Sequence, residues 1–428
     1  MRTKNKFKIN KVLFLFVLLV LFTQGFSEIK KAFAETYLDE EVQKVWWTGG
    51  DTGGTKKALL DFTSGANPTI STWTKKSAYT SLTTVPIQQG GAHYVDPLTG
   101  TDLKGINRIY FDGPPGTGTQ LGATVATAYD RNQPVVIGKA PHKGADYVFA
   151  FRNDTGTYNI SAELYDARKS EAYGVGTTTP KLVKTTSMSS INGSSLTILP
   201  GADPSYYWVV GVDHVATAGA IISYKVSADN PNGVSTTPVR TTMDASDLGI
   251  EFRNMMPWNS ETNGIAQPGG TSKLVISDYV SNGGQVWVYD FNRTTGTATQ
   301  RAKLTDIGTY PSGFVRILGA SSDFSPSGKY VYFTSGSAAY YGRLYRWDYD
   351  NKILELVPNQ TRNSGYVQTA RNGKMYVNHG YPDYQPQMGE IIFPDAANIA
   401  DVGYVENRYT LPVSTTSMDG LAGETIAT

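Results

Sequence analysis

Apolar, aromatic and β-branched residues fall along this chain in short runs bounded by Gly, Asn, Asp and Pro, and helical periodicity is scarce. The clearest runs are residues 108–111, 135–137, 147–151, 206–210, 221–226, 274–276, 286–291, 330–333, 343–349 and 374–377. Their lengths suit sheet strands. A short helix is expected only at 38–45, so the pattern predicts an all-β protein. Turn chemistry agrees. In 325–329 a proline presets one backbone angle, and Gly328 can take a positive φ that lets the chain reverse into Tyr330.

Internal similarity gives the strands an order. Residues 325–333 (SPSGKYVYF) can be laid over 370–378 (ARNGKMYVN) at an offset of 45, and 344–350 echoes 286–292. A further alignment sets 148–157 over 288–297 at an offset of 140, or about three units of 47. Repeats of about 40 to 50 residues suit the four-stranded blades of a β-propeller, because each blade buries its faces only against its neighbours. The expected fold is therefore an all-β, seven-bladed β-propeller, with two or three β-sandwich domains as the alternative. The boundaries expected are a signal peptide at 1–34, an N-terminal segment at 35–81 completing the propeller, a propeller body at 82–410, and a tail or the start of a linker at 411–428. Residues 227–242 are expected as an exposed loop.

The N-terminus changes the picture of where the chain works. Arg2, Lys4, Lys6, Lys8 and Lys11 precede an apolar run at 12–22, and Ala32 and Ala34 offer small residues for cleavage. As a helix that run rises about 16 Å, against about 30 Å for a bilayer core, so no stable transmembrane insertion is expected after cleavage. Removal of 34 residues lowers Lys+Arg from 38 to 31 and Asp+Glu from 37 to 36, giving a formal charge of −5. A mature chain of that charge lacks the basic footprint that nucleic acid requires. Cys is absent, which excludes disulfides, thiolate metal sites and a thiol nucleophile.

Candidate chemistry is sparse. Residues 113–120 (GPPGTGTQ) resemble a phosphate loop but carry Thr119 where the lysine belongs and Gln120 at the magnesium-binding position, so no nucleotide is expected. His93, His142, His214 and His379 stand alone without ligand spacing, and no catalytic metal or cofactor is expected. Asp96, Asp102, Asp348, Asp350 and Asn351 put hard oxygens on turns, which leaves structural calcium open. Glu163, Glu171, Glu251 and Glu261 are the isolated carboxylates that a glycoside-cleaving pair would draw on. No catalytic residue is singled out. Trp208, Trp287 and Trp347 lie in strand-like runs and are expected to pack between blades. Trp46, Trp47, Trp73 and Trp258 occur nearer turns and are the candidate ligand-binding residues, with flat apolar faces for a sugar ring or a protein partner.

The segment 325–333 followed by 344–348 (LYRWD) resembles the blade core of bacterial lactonase-like and surface-layer-type β-propellers, with Ser327 where an aspartate is common. The resemblance spans about a quarter of the chain and implies the fold, not catalytic residues. The leader and composition also resemble the N-terminal part of a Gram-positive cell-surface adhesin, although 411–415 (LPVST) lacks the glycine and apolar tail of a wall-sorting signal. The function expected is a noncatalytic, secreted or cell-surface binding domain that recognises a glycan or protein through propeller loops. The alternative is a secreted carbohydrate-active enzyme with a carboxylate pair in the central opening.

Overall fold

The computed structural model describes residues 45–48, 57–61, 66–73, 85–86, 92–93, 106–111, 119–126, 135–143, 147–153, 159–166, 181–190, 421–422, and 196–411 apart from 204, 214–218, 244–250, 259–270, 280–284, 313, 315–317, 338–339, 371 and 380–386. The expected signal peptide lies outside them, as does all but the last residue of the expected helix. That residue, Val45, opens a strand.

The described chain is all-β apart from short 3-10 turns. Strands β1 (Val45–Thr48), β2 (Lys57–Asp61) and β3 (Thr69–Trp73) pair in order; β4 (Val85–Pro86) pairs with β5 (Ala92–His93), and β6 (Ile106–Phe111) with β7 (Thr119–Ala126). Five four-stranded antiparallel sheets follow, each made of consecutive strands. They are β8 (Val135–Lys139) to β11 (Lys181–Ser190) through β9 (Tyr147–Asn153) and β10 (Asn159–Asp166); β12 (Leu196–Pro200) to β15 (Val239–Thr242) through β13 (Tyr206–Asp213) and β14 (Ala220–Ser227); and β16 (Glu251–Trp258) to β19 (Ala298–Lys303) through β17 (Thr271–Tyr279) and β18 (Val286–Asn292). The last two are β20 (Leu318–Phe324) to β23 (Ile353–Leu356) through β21 (Tyr330–Ser337) and β22 (Tyr340–Asp348), and β24 (Ser364–Thr369) to β27 (Tyr404–Thr410) through β25 (Met375–His379) and β26 (Gln387–Ile391). The chain then returns: β28 (Leu421–Ala422), in the segment expected as a tail, pairs with β1 and completes a sixth four-stranded sheet.

The first strands of successive sheets touch in sequence, from β8 through β12, β16, β20 and β24 to β28. First strands are therefore innermost, and β28 takes the innermost place in a sheet whose other three strands come from the N-terminal side. The middle strands are apolar on both faces. Every residue of β13 is buried, and Tyr207, Val209 and Tyr224 pack toward β9 and β10 while Trp208, Val210 and Ile221 pack toward β17 and β18. Such double burial requires a neighbouring sheet on each side.

Turns at one end of each sheet, joining its first to second and third to fourth strands, form what we term the turn end; the opposite end is the crossover end. At the turn end each described sheet grips the third-to-fourth turn of the next. Lys184 donates to Asn232 Oδ1 (2.6 Å), and the His142 ring lies against Gly233. Trp208 Nε1 and Tyr206 Oη donate to the Arg293 carbonyl (2.7 and 2.9 Å), and a Cβ on Gly296, whose φ is +75°, would lie 2.5 Å from the Trp208 ring. Arg301 holds Asp350 (2.7 Å), while Lys273 donates to Tyr349 Oη (2.7 Å) and to the Gly328 carbonyl (2.9 Å). Tyr332 Oη donates to the Pro394 carbonyl (2.8 Å), and the buried Arg346, stacked on Tyr330, donates to the Ala396 carbonyl.

The fifth grip joins the C-terminal sheet to the N-terminal one. Lys374 donates to Asn67 Oδ1 (2.9 Å) and Asn372 to the Ala66 carbonyl (3.0 Å), while Leu60 packs with Ala370, Tyr376 and Met388. Behind Lys374 lies the buried Glu390 carboxylate, 2.8 Å from its ammonium, 3.1 Å from Tyr409 Oη and 3.2 Å from Arg408 Nε.

Several expectations change. Gly328 and Gly373, matched at the offset of 45, both turn from a first into a second strand with φ of 68° and 75°. The offset of 140 aligned unlike strands, because Val148 is in the second strand of its sheet and Val288 in the third of its own. Second strands open at Tyr147, Tyr206, Thr271, Tyr330 and Met375, so the spacing runs from 45 to 65 residues and link length, not a fixed period, sets it. The expected loop 227–242 holds strand β15, and Val226 bridges to the buried Val234. Residue 113–118 of the phosphate-loop lookalike lie outside the described residues; Thr119 and Gln120, at its lysine and magnesium positions, begin strand β7 and no helix.

Candidate functional site at the crossover end

The four candidate tryptophans do not share a location. Trp46 and Trp47 lie within β1, paired with Leu60 and Leu59, and so sit in a strand and not beside a turn. Trp73 is the last residue of β3, a fourth strand, and Trp258 the last of β16, a first strand. Strand direction therefore puts Trp73 at the crossover end and Trp258 at the turn end. Trp208, Trp287 and Trp347 are buried in clusters that each draw on two sheets.

The hard-oxygen residues on turns are engaged within the protein. Asp348 accepts from Asn351 N (3.1 Å) and Asn351 Nδ2 (3.0 Å), and Asp350 pairs with Arg301. Among the described residues no three His, Asp or Glu side chains converge. Asp96, Asp102 and His214 lie outside these residues.

Of the glutamates weighed for glycoside chemistry, Glu171 and Glu261 lie outside the described residues. Glu163 falls on β10, a third strand, away from the innermost ring. Glu251 is different. It opens the innermost strand β16 at the crossover end, paired with Tyr279, while its neighbour Phe252 pairs with Asp278. A bulge follows immediately, between Phe252 and Asn254. Bulges bend a strand and re-aim what it carries, and they gather beside active sites.

Two sheets further round, the same end is rigidly organised. In β27 the register shifts between Met388 and Glu390 of β26, so that Glu406, Asn407 and Arg408 bulge outward. Glu406 accepts from Thr361 N and Arg362 N, both at 2.7 Å, and from the Thr361 hydroxyl. Asn407 Oδ1 lies 3.2 Å from Nε2 of His379, which is wholly buried and paired in register with Ser364 at the mouth of β24. Gln360 accepts from Leu344 N (2.7 Å) and donates to the Leu344 carbonyl (2.9 Å). The link 357–363, which crosses from an outermost to an innermost strand, is thus tied down at both of its ends.

Electrostatics divides these groups. Burial lowers the pKa of His379, which favours the neutral imidazole. Burial pushes Glu406 the other way, but the hydrogen bonds from Thr361 and Arg362 outweigh it and its pKa is lowered, favouring the carboxylate. With three donors on Glu406 and no exposure of His379, both act as positioning residues. Sequence reasoning missed them. His379 reads as one isolated histidine, and the bulge that delivers Glu406 and Asn407 leaves no mark in the local residue pattern.

Sheets whose first strands form the inner edge, each clasping the next, define a β-propeller-type fold. No known protein-family signature matches the chain, and no curated protein matches it. Among solved structures it is similar to a periplasmic gluconolactonase from Pseudomonas aeruginosa, at 14% identity over 88% of this chain and 98% of that one, with a TM-score of 0.50. A protein from Bacteroides uniformis with a provisional 6-phosphogluconolactonase designation aligns at 14% identity over 86% of this chain and 96% of that one, with a TM-score of 0.48. TolB from Acinetobacter baumannii aligns at 11% identity over 85% and 87%, with a TM-score of 0.34. Likeness at these identities concerns fold alone. Among the described residues no helix is long and apolar enough to cross a membrane.

Proposed function

We propose that this chain is an exported bacterial β-propeller that acts as a carbohydrate-active enzyme at its crossover end. Seven blades are the reading adopted here: six four-stranded sheets, with the pairs β4–β5 and β6–β7 supplying the seventh between β3 and β8. Export rests on the basic leader and apolar run at the N-terminus. The observation that carries the enzyme reading is the position of Glu251, a carboxylate opening an innermost strand beside a bulge and next in register to Asp278. Cleaving a sugar bond takes an acid and a base or nucleophile, and Glu251 is the candidate for one of these two carboxylates. The whole-length likeness to a periplasmic gluconolactonase agrees with a sugar-derived substrate and an extracytoplasmic setting.

The test is a screen of the chain starting at residue 35 against glycosides and sugar lactones, followed by E251Q on any substrate turned over. The expected result is turnover that falls at least about 100-fold in E251Q while ligand binding persists. Saturable glycan or protein binding with no turnover would instead favour noncatalytic recognition at a cell surface.

A further inference from the structure

The arginines of the described chain are not evenly paired. Among the described residues Arg240 pairs with Asp213, Arg301 with Asp290 and Asp350, Arg346 with Glu355, and Arg408 with Glu390. Arg343 and Arg362 have no carboxylate partner among those residues; Arg362 stands on the link tied down above, and Arg343 lies beside that link on β22. Arg343, exposed near the crossover end of β22, donates from Nη1 to the Gln360 carbonyl at 3.4 Å, a long bond. Arg362 follows two residues later, with its backbone N–H held by Glu406 and its side chain half-buried. Residues 361–363 lead into the innermost strand β24, so this pair of guanidinium groups is rooted between a third strand and the inner ring.

We infer that Arg343 and Arg362 form an anion subsite, and that the ligand taken at the crossover end is a sugar-derived anion bearing a carboxylate or a phosphate. This rests on the crossover-end reading above and narrows its substrate class. A guanidinium presents a planar fork that matches either oxyanion with two parallel hydrogen bonds. One rooted on a pinned link and the other on the strand beside it need little backbone ordering when ligand arrives, and reduced ordering is what turns a surface charge into affinity. The donors that fix the link are taken up by Glu406 and Gln360; Glu406 offers no oxygen to either guanidinium in the described contacts, and Gln360 offers only its carbonyl, in the long bond to Arg343.

Calorimetric titration of the chain starting at residue 35 with glucuronate, inorganic phosphate and glucose tests this, in R343Q, R362Q, R362K and, as a charge control at the other end, K225Q. Glucuronate or phosphate is expected to bind at least about tenfold more tightly than glucose, with each Arg→Gln variant losing about tenfold and K225Q unchanged. The preferred anion identifies the source. R362K is expected to retain phosphate binding better than glucuronate binding, because lysine meets phosphate as a point charge. Glucose bound as tightly as either anion, or anion binding untouched by both Arg→Gln variants, overturns the subsite while leaving the enzyme reading standing. Wild-type protein that binds neither anion overturns it as well, and the E251Q assay on a neutral substrate then decides the enzyme reading separately. Unchanged melting temperatures in the variants exclude loss of the fold as the cause.

Discussion

Asp323 shows how one residue can set a pH response. It is buried on innermost β20, where it accepts from Phe324 N (2.7 Å) and, across to the next sheet, from Thr369 N (2.6 Å). Burial raises its pKa to about 7, although both backbone donors favour the carboxylate. In the unfolded chain it titrates near about 4, so between these values the folded state keeps a proton that the unfolded state releases. Its contribution to stability is therefore full below about pH 4 and is lost as pH rises to about 7. The melting temperature of D323N is expected to depend less on pH across that window than that of the wild type; parallel curves would contradict the assignment. His379 works in the opposite sense, since its lowered pKa removes stability as pH falls below about 6.5. Gly328, by contrast, was legible from sequence: a glycine before a lysine and an aromatic strand takes the positive φ expected of it.

At the scale of the strand, legibility followed burial. The runs picked out from sequence fall mainly on second and third strands, such as β13, β17, β18, β21 and β22, which are apolar on both faces because a sheet covers each side. Fourth strands were missed, since β15 and β19 alternate or expose polar residues at the rim. First strands β20 and β24 were missed for another reason: Ser322, Asp323, Ser364 and Gln368 are polar residues that the fold buries, and no local pattern announces them. The clasps between sheets rank by burial in the same way. E390Q leaves Lys374 and Arg408 facing a neutral amide in a buried setting, and is expected to destabilise by about 3 to 5 kcal/mol. D350N breaks a clasp to Arg301 that is substantially exposed, and is expected to cost at most about 1 kcal/mol. Urea denaturation of the two variants checks the ranking, and equal losses would overturn it.

For residues 40–428 as a whole, closure is made twice by unlike means. One closure is β28 pairing with β1, through Trp47 with Ala422 and Thr48 with Leu421. The other is the contact of Lys374, Asn372 and the Leu60 cluster with the N-terminal sheet, which does not involve residues beyond 411. A chain ending at residue 415 is expected to melt several degrees lower than the full chain but still in one transition, because the second closure remains. Separate transitions for the N-terminal and C-terminal sheets, seen by calorimetry, would show that β28 alone holds the two ends together.

By itself the sequence determined that the chain is built of short strands, where its turns fall, and that a repeat of four-stranded sheets organises it. These are local properties: each follows from which side chains suit a pleated, doubly covered strand and which residues permit a reversal. Tertiary structure alone decided that β28 completes the first sheet, that Glu406, Asn407 and His379 meet beside the 357–363 link, and that Glu251 opens an innermost strand while Glu163 does not. Those juxtapositions join residues up to several hundred positions apart, and only the order in which sheets pack on one another brings them into register.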